Sequence, residues 1–284
     1  MRKMKKLNLP VNNKAIDELK QAFNYQDGSP KYIITDDEIE IIRTLYNKYE
    51  VLKGLPSDDF KSINLTPQIN DSILSSYQEI QEKGRLKDLR SRLLLATTRC
   101  PFCGISSPDE LDHHLPKTIF KALSLYSSNL VPMCHTCNNK KRTVTGEKEE
   151  ERFIHVYYED LPDTAIIKAI TSFKDKKLSI EFEMDLSSLP ILKAKQLSFQ
   201  FERINLNFRL KKEVNVYLFS MIEALKDAYG IDKNISRVKD FLSRQALSNS
   251  KAFGINDWRA ILLYSLSECD EFCDNGFEDY FMNS

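Results

Sequence analysis

Residues 100–117 read CPFCGISSPDELDHHLPK, and a second cysteine pair follows in Cys134-His-Thr-Cys137. The two CxxC pairs stand about thirty residues apart, a separation at which two knuckles can bind one metal ion. Thiolate sulfur is a preferred ligand of Zn²⁺, and four thiolates fill its tetrahedral coordination sphere. The spacing therefore predicts a closed, structural zinc site formed by Cys100, Cys103, Cys134 and Cys137, whose binding energy stabilises the fold.

The length and composition are those of an ordinary globular protein. The chain has 284 residues, of which 42% are hydrophobic, and it carries 41 basic and 41 acidic residues. Such a length is typical of about two domains. The sequence contains no run of about 18 apolar residues, so it predicts no membrane span. The basic N-terminus lacks the apolar segment of a secretion signal. We therefore expect a cytoplasmic protein without membrane contact, in which regularly spaced cysteines favour metal over disulfides.

The charges are unevenly distributed along the chain. Between Asp112 and Glu147 there is no acidic residue, whereas the tail over 268–284 carries acidic residues and no basic one. The basic residues in the first of these segments are Lys117, Lys121, Lys140, Lys141 and Arg142. A second basic group, on a predicted helix, consists of Arg85, Lys87, Arg90 and Arg92. Each group is either a solvated helix surface or a set of phosphate contacts.

Hydrophobic periodicity predicts helices at both ends of the chain and strands between them. The predicted helices cover 14–26, 36–53, 71–96 with a break near Gly84, and 192–273 with breaks near Asn205, Gly230 and Gly254. The predicted strands cover 153–158, 164–170 and 177–183, with a turn at Asp175-Lys176. The pattern indicates an α+β fold with a helical part over 1–96, a small metal-centred module over 97–150 and a part of strands then helices over 151–284.

A set of polar residues lies between and just after the cysteine pairs. Asp112 and His113 are followed by Pro116, and Asn129 and Asn138 complete the set. His113 precedes Asn129 by 16 residues, and Asn129 precedes Asn138 by nine. This arrangement, with its two flanking CxxC pairs, resembles the HNH endonucleases, the ββα-metal nucleases. The resemblance covers roughly residues 97–145, and it implies a β-hairpin and a helix that zinc ties together.

The resemblance also implies a role for each residue. Asp112 and Asn138 would be the ligands of a catalytic Mg²⁺ or Mn²⁺, His113 the general base, and Asn129 the residue that fixes the loop and orients the His113 ring. The chemistry of these residue types agrees, because neutral imidazole is a competent base near pH 7 and oxygen ligands suit a hard cation. His114 stands where the family often has an apolar residue, so it is a phosphate contact, a spare ligand or a surface bystander.

The function implied by the resemblance is metal-dependent cutting of DNA that leaves 5′-phosphate and 3′-hydroxyl ends. The expected nucleic-acid contacts are Lys117, Lys140, Lys141, Arg142 and His114. Two alternatives stay open: a zinc-ribbon protein that binds nucleic acid without catalysis, and an HNH nuclease that acts on RNA. The segments 84–93 and 153–155 are similar to larger HNH proteins of bacterial anti-phage defence, of the Septu type, which implies a partner ATPase.

The remaining histidines and cysteines carry structural expectations. His135 lies between two ligands, so its side chain is expected to point away from the ion, as a structural residue or a minor substrate contact. His155 is expected to pack within a strand. Cys269 and Cys273 have no matching second pair, and we expect ordinary thiols on a helix.

Overall fold

The computed structural model describes residues 7–10, 14–61, 64–160 and 164–283. The basic residues 1–6, where the sequence predicts no secretion signal, lie outside the described residues. The α+β fold is confirmed, and the sheets found in the described ranges are two antiparallel strand pairs. The described residues fall into two compact units, the first within Lys6–Glu159 and Lys195–Ile204 and the second within Asp160–Ala194 and Asn205–Ser284. Among the helices described, none combines the length and apolar character needed to cross a bilayer.

The first unit begins with helices that the hydrophobic pattern largely predicted. They are α1 (Ala15–Ala22), α2 (Asp36–Leu52), α3 (Pro67–Ser76) and α4 (Lys87–Leu94). Thr35 and Glu38 form a capping box at the start of α2, which satisfies backbone donors that a helix end leaves unpaired. The break predicted near Gly84 is confirmed. A β-carbon at Gly84 would lie 2.1 Å from the carbonyl oxygen of Glu79, so only glycine fits this close approach.

A ββα arrangement follows the first cysteine pair. Strand β1 (Glu110–His113) pairs antiparallel with β2 (Leu130–Met133), with Asp112 opposite Val131, and helix α5 (His135–Lys141) begins directly after β2. Side chains of this arrangement and of the preceding helices share one hydrophobic core, which includes Ile42, Ile73, Leu111 and Leu130. The hairpin therefore rests on the N-terminal helices.

The strand predicted over 153–158 is wrong. Residues 152–155 have no regular structure and residues 156–158 form a turn. The side chains of residues 153–157 are all buried. Side-chain oxygens accept two backbone N–H groups of this segment: Gln200 Oε1 accepts from Ile154, and Glu159 Oε1 accepts from His155. A run of buried side chains thus occurs here without strand pairing.

The second unit contains a hairpin followed by helices, as the pattern predicted. Strands β3 (Ile167–Lys174) and β4 (Lys177–Met184) pair antiparallel. Strand β3 begins and ends later than the strand predicted over 164–170. Asp175 and Lys176 both have positive φ, at 49° and 62°, which confirms the turn. Asn205, Gly230 and Gly254 lie at helix boundaries, as predicted. The helices are α6 (Ile191–Arg203, whose residues from Lys195 belong to the first unit), α7 (Leu206–Phe219), α8 (Ile222–Tyr229), α9 (Ile235–Phe253), α10 (Trp258–Ser267) and α11 (Phe277–Asn283).

Candidate metal centre and active-site groove

The four cysteines of the two CxxC pairs come together at one buried point. All four Sγ atoms lie within 4.8 Å of one another, and those of Cys103 and Cys134 are 3.8 Å apart. In a tetrahedron with Zn–S bonds of about 2.3 Å, the sulfurs are about 3.8 Å apart. Cys100, Cys103, Cys134 and Cys137 can therefore bind one zinc ion, as the spacing predicted.

The backbone around the first pair forms the expected knuckle. Gly104 has a φ of 67°, and its N–H donates to the carbonyl of Cys100 at 2.9 Å. The N–H of Cys100 donates to the carbonyl of Ser106 at 2.7 Å and closes the loop. Cys134 caps α5 and Cys137 lies within it. Metal bonds at these positions would connect the knuckle to the helix.

Hydrogen bonds among the thiols shift their acidities in opposite directions. The bond with Cys100 lowers the pKa of Cys103 to about 7 and strongly lowers the pKa of Cys134. The pKa of Cys100 rises instead, chiefly through its hydrogen bond with Cys103. The pKa of Cys137 also rises, chiefly through its hydrogen bond with Cys100. A bound cation favours the thiolate form at all four positions, because the thiolate is the metal ligand.

A groove of about 560 Å³ brings three predicted site residues together. Asp112, His113 and Asn138 all line it. Its other polar or aromatic lining residues include Tyr77, Gln81, Arg90, Asp109, Glu110, Lys117 and Arg142. Three carboxylates, two amides, an imidazole and three cations therefore share one open surface of the first unit.

His113 is fixed as a neutral imidazole with one free lone pair. Its ring is buried, and Nε2 lies 3.0 Å from the carbonyl oxygen of Ser124. Because a carbonyl can only accept, Nε2 carries the proton and Nδ1 keeps the lone pair. Burial lowers the pKa of His113 to about 3, so the ring is neutral at physiological pH. Tyr77 packs against the ring at 4.5 Å between centroids, and the Lys117 ammonium lies 3.9 Å from the Tyr77 ring centroid.

Asn129 lies beneath the groove and holds the loop after β1. Its Oδ1 accepts from the N–H of Leu115 at 2.8 Å and from the Tyr49 hydroxyl at 3.1 Å. Its Nδ2 donates to the carbonyls of Leu115 and Leu123 at 3.0 and 3.2 Å. The carbonyl that orients His113 belongs to Ser124, the residue after Leu123. Asn129 thus fixes the backbone that positions the His113 ring.

Replacing Asn129 with alanine is expected to destabilise the protein by about 2–4 kcal/mol, because the change leaves buried backbone groups of Leu115 and Leu123 without partners. Urea unfolding followed by circular dichroism would measure the difference. Asn139→Ala, at an exposed position of α5, is the matched control and should change stability by less than about 0.5 kcal/mol. Equal stabilities of the two variants would contradict this role for Asn129.

Glu110 is a groove residue that the sequence analysis missed. Its Oε2 accepts from Nδ2 of Asn138 at 2.7 Å, and its Oε1 lies 2.7 Å from Nδ1 of His135. Burial opposes ionisation, but these hydrogen bonds from His135 and Asn138 lower the pKa of Glu110 overall. Since Nδ2 of Asn138 faces a carboxylate, its Oδ1 is left as the available oxygen of the amide. The sequence did contain a signal for Glu110. It precedes Asp112 by two residues, and side chains two residues apart on a strand point to the same face.

The expected nucleic-acid contacts divide into two groups. Lys117 and Arg142 line the groove, and Arg90 joins them from the basic group on α4. Lys140 is partly exposed on α5 but does not line the groove. The expectation of a surface contact is wrong for Lys141, which is 1% exposed because its ammonium pairs with Asp112 at 2.7 Å.

His114 faces away from the groove. It lines a separate cavity of about 50 Å³, where its ring packs on that of His155 at 4.0 Å between centroids. Its Nδ1 has no hydrogen-bond partner among the described residues, and burial lowers the pKa of His114 well below its usual value. His155 is buried and bonded to the Tyr49 hydroxyl at 3.0 Å. His155 is a packed residue as predicted, although not in a strand.

The other predicted structural residues fall outside the cysteine cluster. His135 is exposed on α5, and its ring pairs with the groove residue Glu110. Cys269 and Cys273 are buried thiols. The Cys273 thiol donates to the carbonyl of Leu266 at 3.4 Å. Cysteine, histidine and acidic side chains can all bind metals. Within the described ranges, the four cysteines of the two CxxC pairs are the group whose ligand atoms lie close enough together to hold one ion.

The comparisons with known proteins give one short similarity. No family model matches the chain, and no solved structure matches it. The chain is 37% identical over 67 residues to the protein Ea31 of Escherichia phage lambda. The matched segment is 23% of this chain and 23% of the lambda protein, so the match spans less than a quarter of either.

Proposed function

We propose that the chain is a metal-dependent endonuclease of the HNH type that hydrolyses phosphodiester bonds in DNA. The observation that carries the proposal is the groove in which Asp112, His113 and Asn138 meet. A zinc-ribbon protein that only binds nucleic acid has no use for a buried neutral imidazole beside a carboxylate and an amide. The resemblance of residues 97–145 to HNH endonucleases supports the same assignment.

The residues that line the groove suit a hard divalent cation. Asp112 supplies a carboxylate and Asn138 an amide oxygen, which are the ligand types that Mg²⁺ and Mn²⁺ prefer. Asp112 Oδ2 is buried, and its contact with Lys141 is ionic rather than a well-aligned hydrogen bond. Held by Asp112 and Asn138, Mg²⁺ or Mn²⁺ would stabilise charge on the scissile phosphate and the leaving oxygen.

The chain's own residues then perform the proton transfer. Nδ1 of His113 takes a proton from a water molecule, whose oxygen bonds to phosphorus as the bond to the 3′ oxygen breaks. The 3′ oxygen takes a proton from solvent, which leaves 5′-phosphate and 3′-hydroxyl ends. Lys117, Arg90 and Arg142 provide positive charge along the groove for the neighbouring phosphates.

The proposal includes a partner. The similarity of segments 84–93 and 153–155 to defence-type HNH proteins supports an anti-phage role beside an ATPase subunit. A phage plaque assay on cells that express the chain with and without a neighbouring ATPase gene would test this role. Equal plaque counts in all strains would remove the defence assignment and leave the nuclease assignment untouched.

Purified, zinc-loaded protein is expected to nick or cut supercoiled plasmid when Mg²⁺ or Mn²⁺ is added, because the proposed reaction needs a divalent cation at Asp112 and Asn138 to stabilise charge on the scissile phosphate. Cutting should stop when EDTA removes the divalent cation, and RNA of the same sequence serves as the parallel substrate. Binding of DNA without cutting, at every metal tested and in the presence of the partner, would favour the zinc-ribbon alternative. Cutting of RNA alone would correct the substrate.

A further inference from the structure

The buried ammonium of Lys141 lies in a cage of oxygens at the end of β1. Its Nζ is 2.7 Å from Oδ2 of Asp112 and donates to the carbonyls of His113 and His114 at 2.9 and 3.3 Å. Lys141 is 1% exposed and Asp112 is 6% exposed. A buried lysine is stable as a cation only with such partners, because burial otherwise disfavours its charge.

Two of the three cage oxygens belong to residues that the proposed reaction uses. Asp112 is the proposed metal ligand, and the carbonyl of His113 belongs to the proposed base. Lys141 reaches them from α5, the helix that also carries Asn138 and Cys137. A single side chain thus connects the strand end to the helix that bears the second proposed ligand.

Two cations compete for the charge of one carboxylate. An ammonium at 2.7 Å offsets much of the negative charge of Asp112, and it repels a divalent cation bound to the same group. The affinity of the groove for metal is therefore lower than an unpaired carboxylate would give. The ammonium also holds Asp112 and the backbone of His113 in place.

We propose that Lys141 is a positioning residue that shares Asp112 with the catalytic divalent cation, and thereby weakens metal binding while ordering the strand end. This inference rests on the proposed nuclease function, since it assumes that Asp112 binds the divalent cation. A residue that only filled the core could change stability, but it would have no reason to change metal affinity.

Lys141→Met is the direct test, because methionine fills a similar space without charge. Mn²⁺ binding to zinc-loaded protein is measured by isothermal titration calorimetry and by the loss of the free Mn²⁺ electron paramagnetic resonance signal. We expect Lys141→Met to bind Mn²⁺ about tenfold more tightly than the parent, and to cut DNA more slowly at saturating Mn²⁺. Lys140→Met, which removes the same charge one residue earlier, should bind Mn²⁺ like the parent. Asp112→Asn should remove the tight binding and so identify its site.

Lys141→Met leaves the buried carboxylate of Asp112 without its cation, which lowers the stability of the protein. A second variant is therefore needed. Lys141→Gln keeps a donor for the carbonyl oxygens and removes the charge, so it should show the same gain in Mn²⁺ affinity. In both variants Mn²⁺ should raise the melting temperature more than in the parent, because the metal replaces the missing counter-charge. Failure of both variants to fold in excess Mn²⁺ would overturn the inference.

The outcomes separate the inference from the proposed function. A parent protein that neither binds Mn²⁺ at Asp112 nor cuts nucleic acid would refute the nuclease proposal itself. A parent that binds and cuts, beside a folded Lys141→Met with unchanged or weaker Mn²⁺ affinity, would refute only the role given to Lys141.

Discussion

His113→Ala protein is expected to cut DNA about 10²–10⁴-fold more slowly than the parent, which is the usual contribution of a positioned general base. The imidazole has its proton on Nε2, bonded to the carbonyl of Ser124, so Nδ1 is the atom that can accept a proton from water. Alanine offers no such atom. The rate of plasmid nicking at saturating Mn²⁺ measures the loss, and the zinc content and melting curve report whether the fold is retained.

His135→Ala is the matched control for this loss. It removes an exposed imidazole that pairs with the groove residue Glu110, so it should lower the rate only modestly. Added imidazole should restore part of the His113→Ala activity, because the vacated space opens on the groove. If His113→Ala nicks plasmid at the parental rate, His113 is not the base.

The four-cysteine cluster is the part of the site that sequence spacing predicts best. A four-thiolate zinc site needs its four cysteines at fixed distances, so the spacing of cysteines in a sequence reflects the geometry directly. The clustering of Cys100, Cys103, Cys134 and Cys137 confirms this prediction. The turn at Asp175-Lys176 and the break at Gly84 were predictable for a similar reason, because local backbone geometry restricts the residues that fit.

The errors occur where tertiary contacts override a local pattern. Lys141 resembled a solvated residue at a helix end, yet Asp112, distant in sequence, draws its ammonium into the interior. The β-like residues over 153–158 resembled a strand, yet a helix residue, Gln200, accepts a backbone N–H there. Neither partner can be identified from periodicity, which reports burial and not the group that satisfies a polar atom.

The contribution of the N-terminal helices to the site was also not predictable. Tyr77 packs against the His113 ring and Tyr49 bonds to Asn129, but both residues read in sequence as ordinary apolar positions of helices. Their polar atoms matter only because the hairpin rests on α2 and on the segment after α3. A truncated module over 97–145 would lack both contacts.

Cys134→Ser is expected to lose the zinc ion and most of the stability of the first unit. Serine oxygen is a poor replacement for thiolate at a tetrahedral zinc site, and structural zinc contributes on the order of 10 kcal/mol to folding in small zinc domains. The loss should separate the knuckle from α5 and so displace Asn138 from Asp112. Zinc per chain by mass spectrometry and urea unfolding measure the two effects.

Cys273→Ser is the matched control, because this thiol is equally buried but lies outside the cluster. Its contact with the carbonyl of Leu266 can be kept by a serine hydroxyl, so stability should fall by no more than about 1–2 kcal/mol and zinc content should not change. The contrast between the two serine variants isolates the metal from the general effect of changing a buried cysteine. Well-folded Cys134→Ser protein that still carries one zinc per chain would show that Cys134 is not a ligand, and the link between the knuckle and α5 would need another explanation.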